Sequence, residues 1–344
     1  MINAPAERTN AINFDKASSI SSVAPVIGND WHVVASATSL APATLQALRL
    51  LGKDLVLWRS ASNAVQVWED RCPHRSVRLS NGRVVENTLV CPYHGMAYGT
   101  NGRCLHVPAH PDYVPPKQAC VQTFPVQIRY GLVFVCLGAN PGTIPSFPEW
   151  EDATFVKGLS GPHYSQTGGY RAIENFLDMA HFPFVHTDIL GDQANTAIAD
   201  YAVKVDAEGV HIPHIRVWQP DPIGTGSGAY VDYVYAIKRP LTGYLRKTNP
   251  TGEVLSLLYC VTPLTEEECI GWMIVAMNFI DESGLPEAIA FQDTVVQQDV
   301  VNLETHMPKQ LPIDMKAEFH VPCDRASLAY RRWLKRSGVI YGVI

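Results

Sequence analysis

The sequence predicts an α+β protein in which a small all-β domain precedes a domain of antiparallel strands and helices. Up to about residue 140, short strand-like runs are separated by Gly, Pro and Asn, which is typical of small β domains. Residues 141–160 are rich in proline and are predicted to form a linker. Longer apolar strands follow, and then a proline-free stretch from Glu287 to about Met307 with helical potential. We therefore expect a flexible tail over residues 1–26, a first domain over 27–145 and a second domain over 146–344.

Composition and charge argue against several classes of protein. A chain of 344 residues, 47% of them hydrophobic, is long enough to bury large cores. A net charge of −6 without any basic run argues against a nucleic-acid partner. No apolar run approaches the roughly eighteen residues of a membrane span, and the N-terminus lacks the pattern of a secretory signal. We therefore expect a cytoplasmic protein, in which a patterned pair among the eight cysteines indicates metal binding before disulfides.

The first domain is predicted to begin at Asn29 to Val34 and to consist of short strands. The five clearest strand-like runs are residues 54–58, 64–68, 87–90, 124–128 and 131–136. Asn101-Gly102 lies between two short apolar runs and predicts a hairpin turn.

A paired cysteine and histidine motif lies inside this domain. Cys72-Pro73-His74 is followed, after a gap of sixteen residues, by Cys91-Pro92-Tyr93-His94. A zinc site is one interpretation, because zinc also accepts two Cys and two His, but zinc clusters usually pair Cys with Cys. One Cys and one His on each loop suits a [2Fe–2S] centre with thiolates on one iron and imidazoles on the other, the Rieske arrangement.

A second motif opens the second domain, between Glu174 and His186. Asn175, Asp178 and His181 recur every three residues, so on a helix they share one face. Pro183 is expected to break that helix and to let His186 turn back toward His181. Two core histidines beside a proline kink remain the alternative unless a carboxylate from later in the chain joins them.

The rest of the second domain is predicted to form an antiparallel sheet and a helix. The strand-like runs are residues 231–237, 254–259 and 271–277, with a hairpin turn at Gly209. The helix predicted after Glu287 carries two acids that could complete a metal site, Asp293 and Asp299.

Together these motifs resemble the oxygenase component of the Rieske non-haem iron oxygenases. The resemblance extends from about Trp31 to the C-terminus. Within the family it is similar to the vanillate and dicamba O-demethylases, the toluenesulfonate methyl-monooxygenase and the caffeine N-demethylase. Residues 91–95, 107–112, 175–186 and 320–335 are most similar to the hydroxylases of saxitoxin biosynthesis. The resemblance implies an N-terminal Rieske domain followed by a catalytic domain of the helix-grip type, an antiparallel sheet with helices.

The resemblance also implies which residues bind the cofactors. The implied [2Fe–2S] ligands are Cys72, His74, Cys91 and His94. The implied ligands of a mononuclear Fe(II) are His181, His186 and Asp293, a facial triad that leaves positions open for dioxygen. Asp299 is the competing carboxylate, and Asn175 is implied as a neighbour that fixes the geometry of the iron site. Gln298 stands where several relatives carry Glu.

The implied activity is a monooxygenation driven by NADH. Asp178 is implied to link His181 to the cluster ligand His94 of a neighbouring subunit, and the resemblance also implies a homotrimer. No Gly-x-Gly-x-x-Gly motif opens a βαβ unit, so a separate reductase or ferredoxin is expected to handle NADH. One oxygen atom enters a C–H bond of a small, nitrogen-containing heterocyclic or alkaloid-like substrate, and the other leaves as water.

Three alternatives to this hydroxylase interpretation stay open. If the oxidised C–H bond belongs to an N- or O-methyl group, the product collapses with loss of formaldehyde, so that oxidation becomes demethylation. A Rieske-type electron carrier needs only the first half of the chain and leaves the second motif unexplained. A zinc-stabilised binding module explains the cysteines but predicts no iron.

The substrate pocket is the part that the sequence predicts least. Tyr259 and Trp272 lie on strands expected to line it, although aromatic residues on strands are also typical of a core. Asp232 would pair with a cationic substrate if it faced inward and would be ordinary surface if it faced outward. His211 and His214 are a weak metal candidate.

Overall fold

The computed structural model describes residues 25–222 and 226–344. By their contacts these residues divide into two compact units, residues 42–123 and residues 25–41 together with 124–344. The predicted tail lies outside the described residues except for Pro25 and Val26, which belong to a short helix.

The elements follow one another in chain order. Up to residue 135 they are α1 (Pro25–Gly28), β1 (His32–Ser36), β2 (Thr44–Leu50), β3 (Lys53–Arg59), β4 (Val65–Glu69), β5 (Arg83–Val85), β6 (Thr88–Val90), β7 (Ala97–Gly99), β8 (Cys104–His106), β9 (Thr123–Phe124), β10 (Val126–Arg129) and β11 (Leu132–Val135). From residue 148 they are α2 (Pro148–Glu151), β12 (Val156–Ser165), α3 (Gly169–Leu177), α4 (Phe182–Val185), β13 (Lys204–Val205), β14 (Val210–Gln219), β15 (Ala229–Arg239), β16 (Thr242–Thr248), β17 (Val254–Pro263), β18 (Cys269–Met277), α5 (Leu285–Leu303) and α6 (Arg325–Arg336).

The first unit is all β, as predicted. Strands β2, β3 and β4 are neighbours in one antiparallel sheet, and β5 to β8 form a second. Trp58 and Trp68 pack edge to face at 4.8 Å in a core that also contains Leu79 and Leu89. The turn between β7 and β8 contains Asn101-Gly102, and Gly102 has a φ of +79°, a conformation that glycine adopts without strain.

The second unit is built on a seven-stranded antiparallel sheet in the order β12-β18-β17-β16-β15-β14-β13. One face is covered by a three-stranded sheet, β1-β11-β10, and the shared core includes Val33, Phe134, Leu258, Trp272 and Ile274. Because side chains alternate along a strand, neighbours such as Leu257 and Met273 point to the other face, against which α3 packs. The predicted α+β class is therefore found, with a sheet and helices in the second unit.

The division by contacts does not follow the predicted boundary at residue 145. Strands β1, β10 and β11 fall in the second unit because their apolar side chains share a core with β17 and β18. The predicted linker also ends earlier than expected. Residues 156–160 pair with residues 273–277 of β18, so the chain is already at the edge of the large sheet there. No helix among the described residues has the length and apolar character needed to cross a bilayer.

A buried ionic network connects three parts of the second unit: helix α3, the segment between α5 and α6, and helix α6. Arg331 Nε donates to Glu174 Oε1 at 2.6 Å, and Arg331 Nη2 donates to Glu318 Oε2 at 2.5 Å. Arg171 Nη2 donates to Glu318 Oε1 at 2.7 Å. Both arginine side chains are almost fully buried. Because α3 leads directly into the histidine motif, the network fixes the entry to that motif.

Glu318→Gln is expected to lower the free energy of unfolding by about 2 kcal/mol at pH 7, since two charge-assisted contacts are weakened. Burial opposes the charge of Glu318, but Arg171 and Arg331 outweigh it and lower its pKa from 4.5 to about 2. A depressed pKa in the folded state contributes stability that is present above the unfolded value and is lost as the pH falls toward 2. Urea unfolding at pH 7 and pH 4 measures this. The exposed Glu282→Gln is the control, and an equal loss from Glu318→Gln at both pH values would contradict the ionic explanation.

Candidate metal centres

The first candidate centre lies on two loops of the first unit that have the same backbone closure. In one loop the Cys72 N–H donates to Val77 O at 2.9 Å and the Ser76 N–H to Cys72 O at 2.9 Å. In the other loop the Cys91 N–H donates to Met96 O at 2.9 Å and the Gly95 N–H to Cys91 O at 3.1 Å. Ser76 and Gly95 occupy the same place in the two loops, with φ values of +59° and +68°. Cys72 and Cys91 therefore occupy equivalent places in the two loops, and each loop also carries one His, two residues after Cys72 and three residues after Cys91.

The cysteines and the histidines of these loops differ in burial. Cys72 and Cys91 are each 1% exposed, whereas His74 and His94 are exposed. The two Nδ1 atoms of the histidines lie 3.2 Å apart, so their lone pairs converge. Burial raises the pKa of Cys91, although the backbone N–H groups of Tyr93 and His94 oppose this effect. Buried thiols on one side and two converging imidazoles on the exposed side fit a [2Fe–2S] centre with unlike irons.

Tyr98→Phe is expected to lower the reduction potential of such a centre by about 40 mV. The Tyr98 hydroxyl lies 3.2 Å from Cys72 Sγ, and a hydrogen bond to a cluster sulfur stabilises the more negative, reduced state. The shift corresponds to the loss of about 1 kcal/mol for a one-electron couple. A spectroscopic redox titration measures it. The nearby Tyr113→Phe is the control, and an unchanged potential in Tyr98→Phe would show that the hydroxyl does not act on the cluster.

The second candidate centre is formed where α3 ends. The expectation of one continuous helix through Asn175, Asp178 and His181 is wrong, because α3 stops at Leu177 and Asp178 is already extended. Pro183 does not break a helix but starts one, since the first turn of a helix needs no N–H from proline. The short helix α4 places His181 and His186 at its two ends. The outcome for the two imidazoles is nevertheless the predicted one, with Nε2 atoms 3.3 Å apart.

The carboxylate that joins the two imidazoles belongs to Asp299. Its Oδ1 lies 3.3 Å from His181 Nε2 and 3.1 Å from His186 Nε2. The three ligand atoms lie within 4.8 Å of one another, and Asp299 Oδ1 is buried without a well-formed hydrogen bond. Burial opposes the charge of Asp299, yet the two imidazoles hold its pKa well below the ordinary value. A buried oxygen without a partner that faces two ring nitrogens fits a bound metal ion.

The outer nitrogens of both histidines are held by acceptors. His181 Nδ1 lies 3.1 Å from Asp178 Oδ2, and His186 Nδ1 lies 2.8 Å from Gln298 Oε1. An acceptor at Nδ1 places the proton there and leaves the Nε2 lone pair for a metal. The predicted contact between Asp178 and His181 is therefore present. The contact between Gln298 and His186 was not predicted from the sequence.

The prediction of Asp293 as the third ligand is wrong in the structure. Ser160 Oγ donates to Asp293 Oδ1 at 2.6 Å, and His163 Nε2 lies 3.2 Å from the same oxygen. Asp299 lies six positions after Asp293 on the helix, which is about 9 Å along the axis and about 240° around it. Only one of the two acids can therefore face the histidines. The sequence signal that bears on this choice is the presence of a second acid, Asp299, on the same predicted helix.

The packing of α5 explains why Asp299 is the acid that faces the histidines. A Cβ added at Gly158 of β12 would lie 2.8 Å from Ile289 Cδ1, so the first half of the helix packs closely on that strand. The helix also contacts α3, which leads into the histidine motif.

A cavity of about 40 Å³ lies beside this triad. Of the residues predicted to contact the substrate, some line this cavity and others do not. Tyr259 and Asn175 line it together with Asp299. Trp272 does not, because it points from the opposite face of the sheet into the apolar core. Asp232 is exposed and lies 3.0 Å from His214 Nε2 and 3.4 Å from Arg216 Nε, so the outward interpretation holds.

Among the described residues, His211 and His214 do not form a metal site, which the sequence only weakly suggested. Each of the two rings pairs with a single carboxylate, His211 with Asp206 at 3.2 Å and His214 with Asp232 at 3.0 Å.

Comparisons with known proteins assign the two candidate centres to two different family domains. Residues 30–125 match the family described as the Rieske [2Fe-2S] domain, and residues 169–338 match the vanillate O-demethylase oxygenase C-terminal domain. The methylxanthine N1-demethylase NdmA of Pseudomonas putida is 31% identical over 89% of this chain and 87% of its own length. The oxidoreductase NdmD of Pseudomonas putida is 43% identical over 33% of this chain and 20% of its own length. The solved structure of NdmA with caffeine, at 28% identity, covers 90% of both chains with a TM-score of 0.78.

Proposed function

Because the chain belongs to the Rieske non-haem iron oxygenases, as their oxygenase component, we propose that it oxidises an N-methyl group of a small heterocycle. The observation that carries this proposal is the convergence of His181, His186 and Asp299, of which Asp299 also lines a cavity. Family membership excludes the two alternative functions, a Rieske-type electron carrier and a zinc-stabilised binding module, because neither accounts for the oxygenase C-terminal domain.

The cofactors follow from the family. The chain uses a Rieske [2Fe–2S] cluster, a mononuclear non-haem iron, dioxygen and electrons from a separate reductase. When bound, the cluster relays single electrons and the iron supplies the site for the reduction of dioxygen.

We assign the ligands from the geometry described above. The cluster would be held by Cys72, His74, Cys91 and His94. The iron would be held by His181, His186 and Asp299, whose ligand atoms already converge. Asp178 and Gln298 orient the two imidazoles by accepting from their Nδ1 atoms. Asn175 lines the same cavity and would help to position what binds there.

The side chains around the cavity support a weakly polar substrate, and the cavity of about 40 Å³ must widen before a heterocycle can enter it. The wall of this cavity is largely apolar and aromatic, with Phe176, Tyr259 and Met273 among its residues, and Asn175 and His163 are polar residues of the same wall. NdmA, which covers most of this chain, is a methylxanthine N1-demethylase. Oxidation of an N-methyl group gives a hemiaminal, which collapses with loss of formaldehyde. We therefore favour a methylated nitrogen heterocycle as the substrate.

Hydroxylation without loss of carbon is the second candidate. The resemblance of residues 91–95, 107–112 and 175–186 to saxitoxin-biosynthesis hydroxylases supports it. Both reactions insert one oxygen atom into a C–H bond, and they differ only in which bond the pocket presents.

Two further proposals concern assembly and location. A homotrimer is proposed because Asp178 contacts His181 and its side chain is 36% exposed, so a cluster histidine of a neighbouring chain could reach it. A cytoplasmic location remains a prediction from the sequence.

The test is incubation of the purified chain with a separate reductase, NADH and a panel of N-methylated heterocycles and methoxyaromatics. A product lighter by one CH2, formed together with formaldehyde, would establish demethylation. A product heavier by one oxygen atom without formaldehyde would establish hydroxylation. If no member of the panel changes NADH and dioxygen consumption or gives a product, the proposed substrate class is wrong.

A further inference from the structure

A cluster of polar side chains connects the surface to the wall of the iron cavity without belonging to the ligand set. Ser160 Oγ donates to Asp293 Oδ1 at 2.6 Å and lies 2.9 Å from His163 Nε2, which is 3.2 Å from the same carboxylate oxygen. Ser160 and His163 are 1% and 6% exposed, whereas the Asp293 side chain is 43% exposed. The cluster thus begins in solvent and ends inside the protein.

His163 is the inner member of this cluster and forms part of the cavity wall, together with Asn175, Tyr259 and Asp299. Its Nδ1 lies 3.4 Å from Gln297 Nε2, a long contact that leaves this nitrogen open to another partner. A cavity of about 40 Å³ has room for about one water molecule. In His163, Nε2 therefore contacts the exposed carboxylate of Asp293, whereas Nδ1 has only the long contact with Gln297.

The neighbours of His163 accommodate either neutral tautomer. The Ser160 hydroxyl can donate or accept, and the Gln297 amide can present its nitrogen or its oxygen to Nδ1. An imidazole in such surroundings can release a proton from one nitrogen and take one at the other. Burial lowers the pKa of His163, and the nearby Asp293 only partly offsets this effect, so the ring carries no permanent charge near neutral pH.

The other ionisable groups on the cavity wall are less suited to this role. Asp299 is committed to the triad. Burial raises the pKa of Cys269 to about 12 and raises the pKa of Tyr259 well above its ordinary value, so neither group releases a proton near neutral pH. His163 is the remaining group that exchanges protons readily.

The proposed reaction needs protons at this place. Insertion of one oxygen atom follows RH + O2 + 2 e− + 2 H+ → ROH + H2O, so the oxygen atom that becomes water takes up two protons. The reductase supplies the electrons, and the protons come from solvent through a largely apolar wall.

We propose that Asp293, Ser160 and His163 form a proton path from solvent to the iron cavity. Asp293 takes a proton from water and passes it to His163 Nε2, directly or through the Ser160 hydroxyl, while His163 releases its Nδ1 proton toward the cavity. Rotation of the ring then again places an unprotonated nitrogen on the Asp293 side and an N–H on the cavity side. This path rests on the proposed function, since it serves the reduction of dioxygen.

The test compares Asp293→Asn with the wild-type holoenzyme at saturating reductase and NADH, following dioxygen consumption. Dioxygen takes up two protons whether it ends in product and water or in hydrogen peroxide, so the assay does not depend on the organic substrate. Asp293→Asn can still accept from Ser160 but takes up no proton. We expect a rate lower by about 10- to 100-fold, a larger solvent deuterium isotope effect and partial rescue by a high concentration of acetate. Iron content and the cluster spectrum should not change.

Two further variants make the test specific. Glu287→Gln removes an exposed charge from the same helix and should leave every readout unchanged. His163→Gln interrupts the path one step further in, so the double variant with Asp293→Asn should be no slower than His163→Gln alone.

Wild-type rate and isotope effect in Asp293→Asn would overturn the path, and so would loss of iron, which would return Asp293 to the ligand set. Absence of organic product from the wild type, with dioxygen still consumed, would contradict only the proposed substrate class.

Discussion

Asp299→Ala is expected to remove the mononuclear iron, to leave the [2Fe–2S] cluster in place and to lower substrate turnover by more than about 100-fold. Loss of a residue that merely orients a ligand typically costs about 10- to 100-fold, and Asp299 is the carboxylate that faces both imidazoles, 3.3 Å from His181 Nε2 and 3.1 Å from His186 Nε2. Iron and acid-labile sulfide analysis, together with the visible spectrum of the cluster, measures the two centres separately.

The matched control is Asp293→Asn on the same helix, which should keep its iron because its partners are Ser160 and His163. Iron lost from Asp293→Asn but retained in Asp299→Ala would restore the ligand set predicted from the sequence.

Asp178→Asn is expected to retain both metal centres and to lower NADH-driven turnover by at least about 10- to 100-fold. Asp178 Oδ2 lies 3.1 Å from His181 Nδ1, and Oδ1 accepts from the Ala180 N–H at 2.9 Å. An asparagine keeps one oxygen acceptor but lacks the negative charge that would attract the cluster histidine of a neighbouring chain. Rapid mixing of the reduced protein with dioxygen and substrate measures the step, since the cluster of the variant should stay reduced for longer.

Asp188→Asn is the control for this variant. Asp188 is exposed in the same segment and has a φ of +65°, a conformation that asparagine also tolerates. Retained turnover in Asp178→Asn would remove Asp178 from the electron path.

Part of the fold and of the sites follows from short stretches of sequence. The cluster loops could be predicted because each of them places its Cys and His within three or four residues, and one repeated backbone closure fixes that geometry. The meeting of His181 and His186 was predicted for a reason that is wrong in detail, since Pro183 starts the short helix α4 and breaks none. The outcome was still correct, because a turn at a proline brings residues five apart together in either case.

Residues far apart in the chain were placed by packing, and there the sequence was ambiguous. Tyr259 and Trp272 both lie on strands beside the cavity, but they belong to opposite faces of the sheet, and only Tyr259 reaches the cavity. Which face is covered by the three-stranded sheet depends on apolar side chains of β1 and β11, which belong to the predicted first domain. Asp232 faces outward for a similar reason of strand alternation.

The sequence by itself determined the cofactor class, the family, the cluster loops and the two histidines. Only the tertiary structure decided between Asp293 and Asp299 and brought Ser160, His163 and Asp293 together. Local geometry fixes ligands within one loop, whereas a ligand from a distant helix depends on the rotation of that helix, which changes by about 100° for each residue. That rotation is set by how α5 packs on β12 and α3.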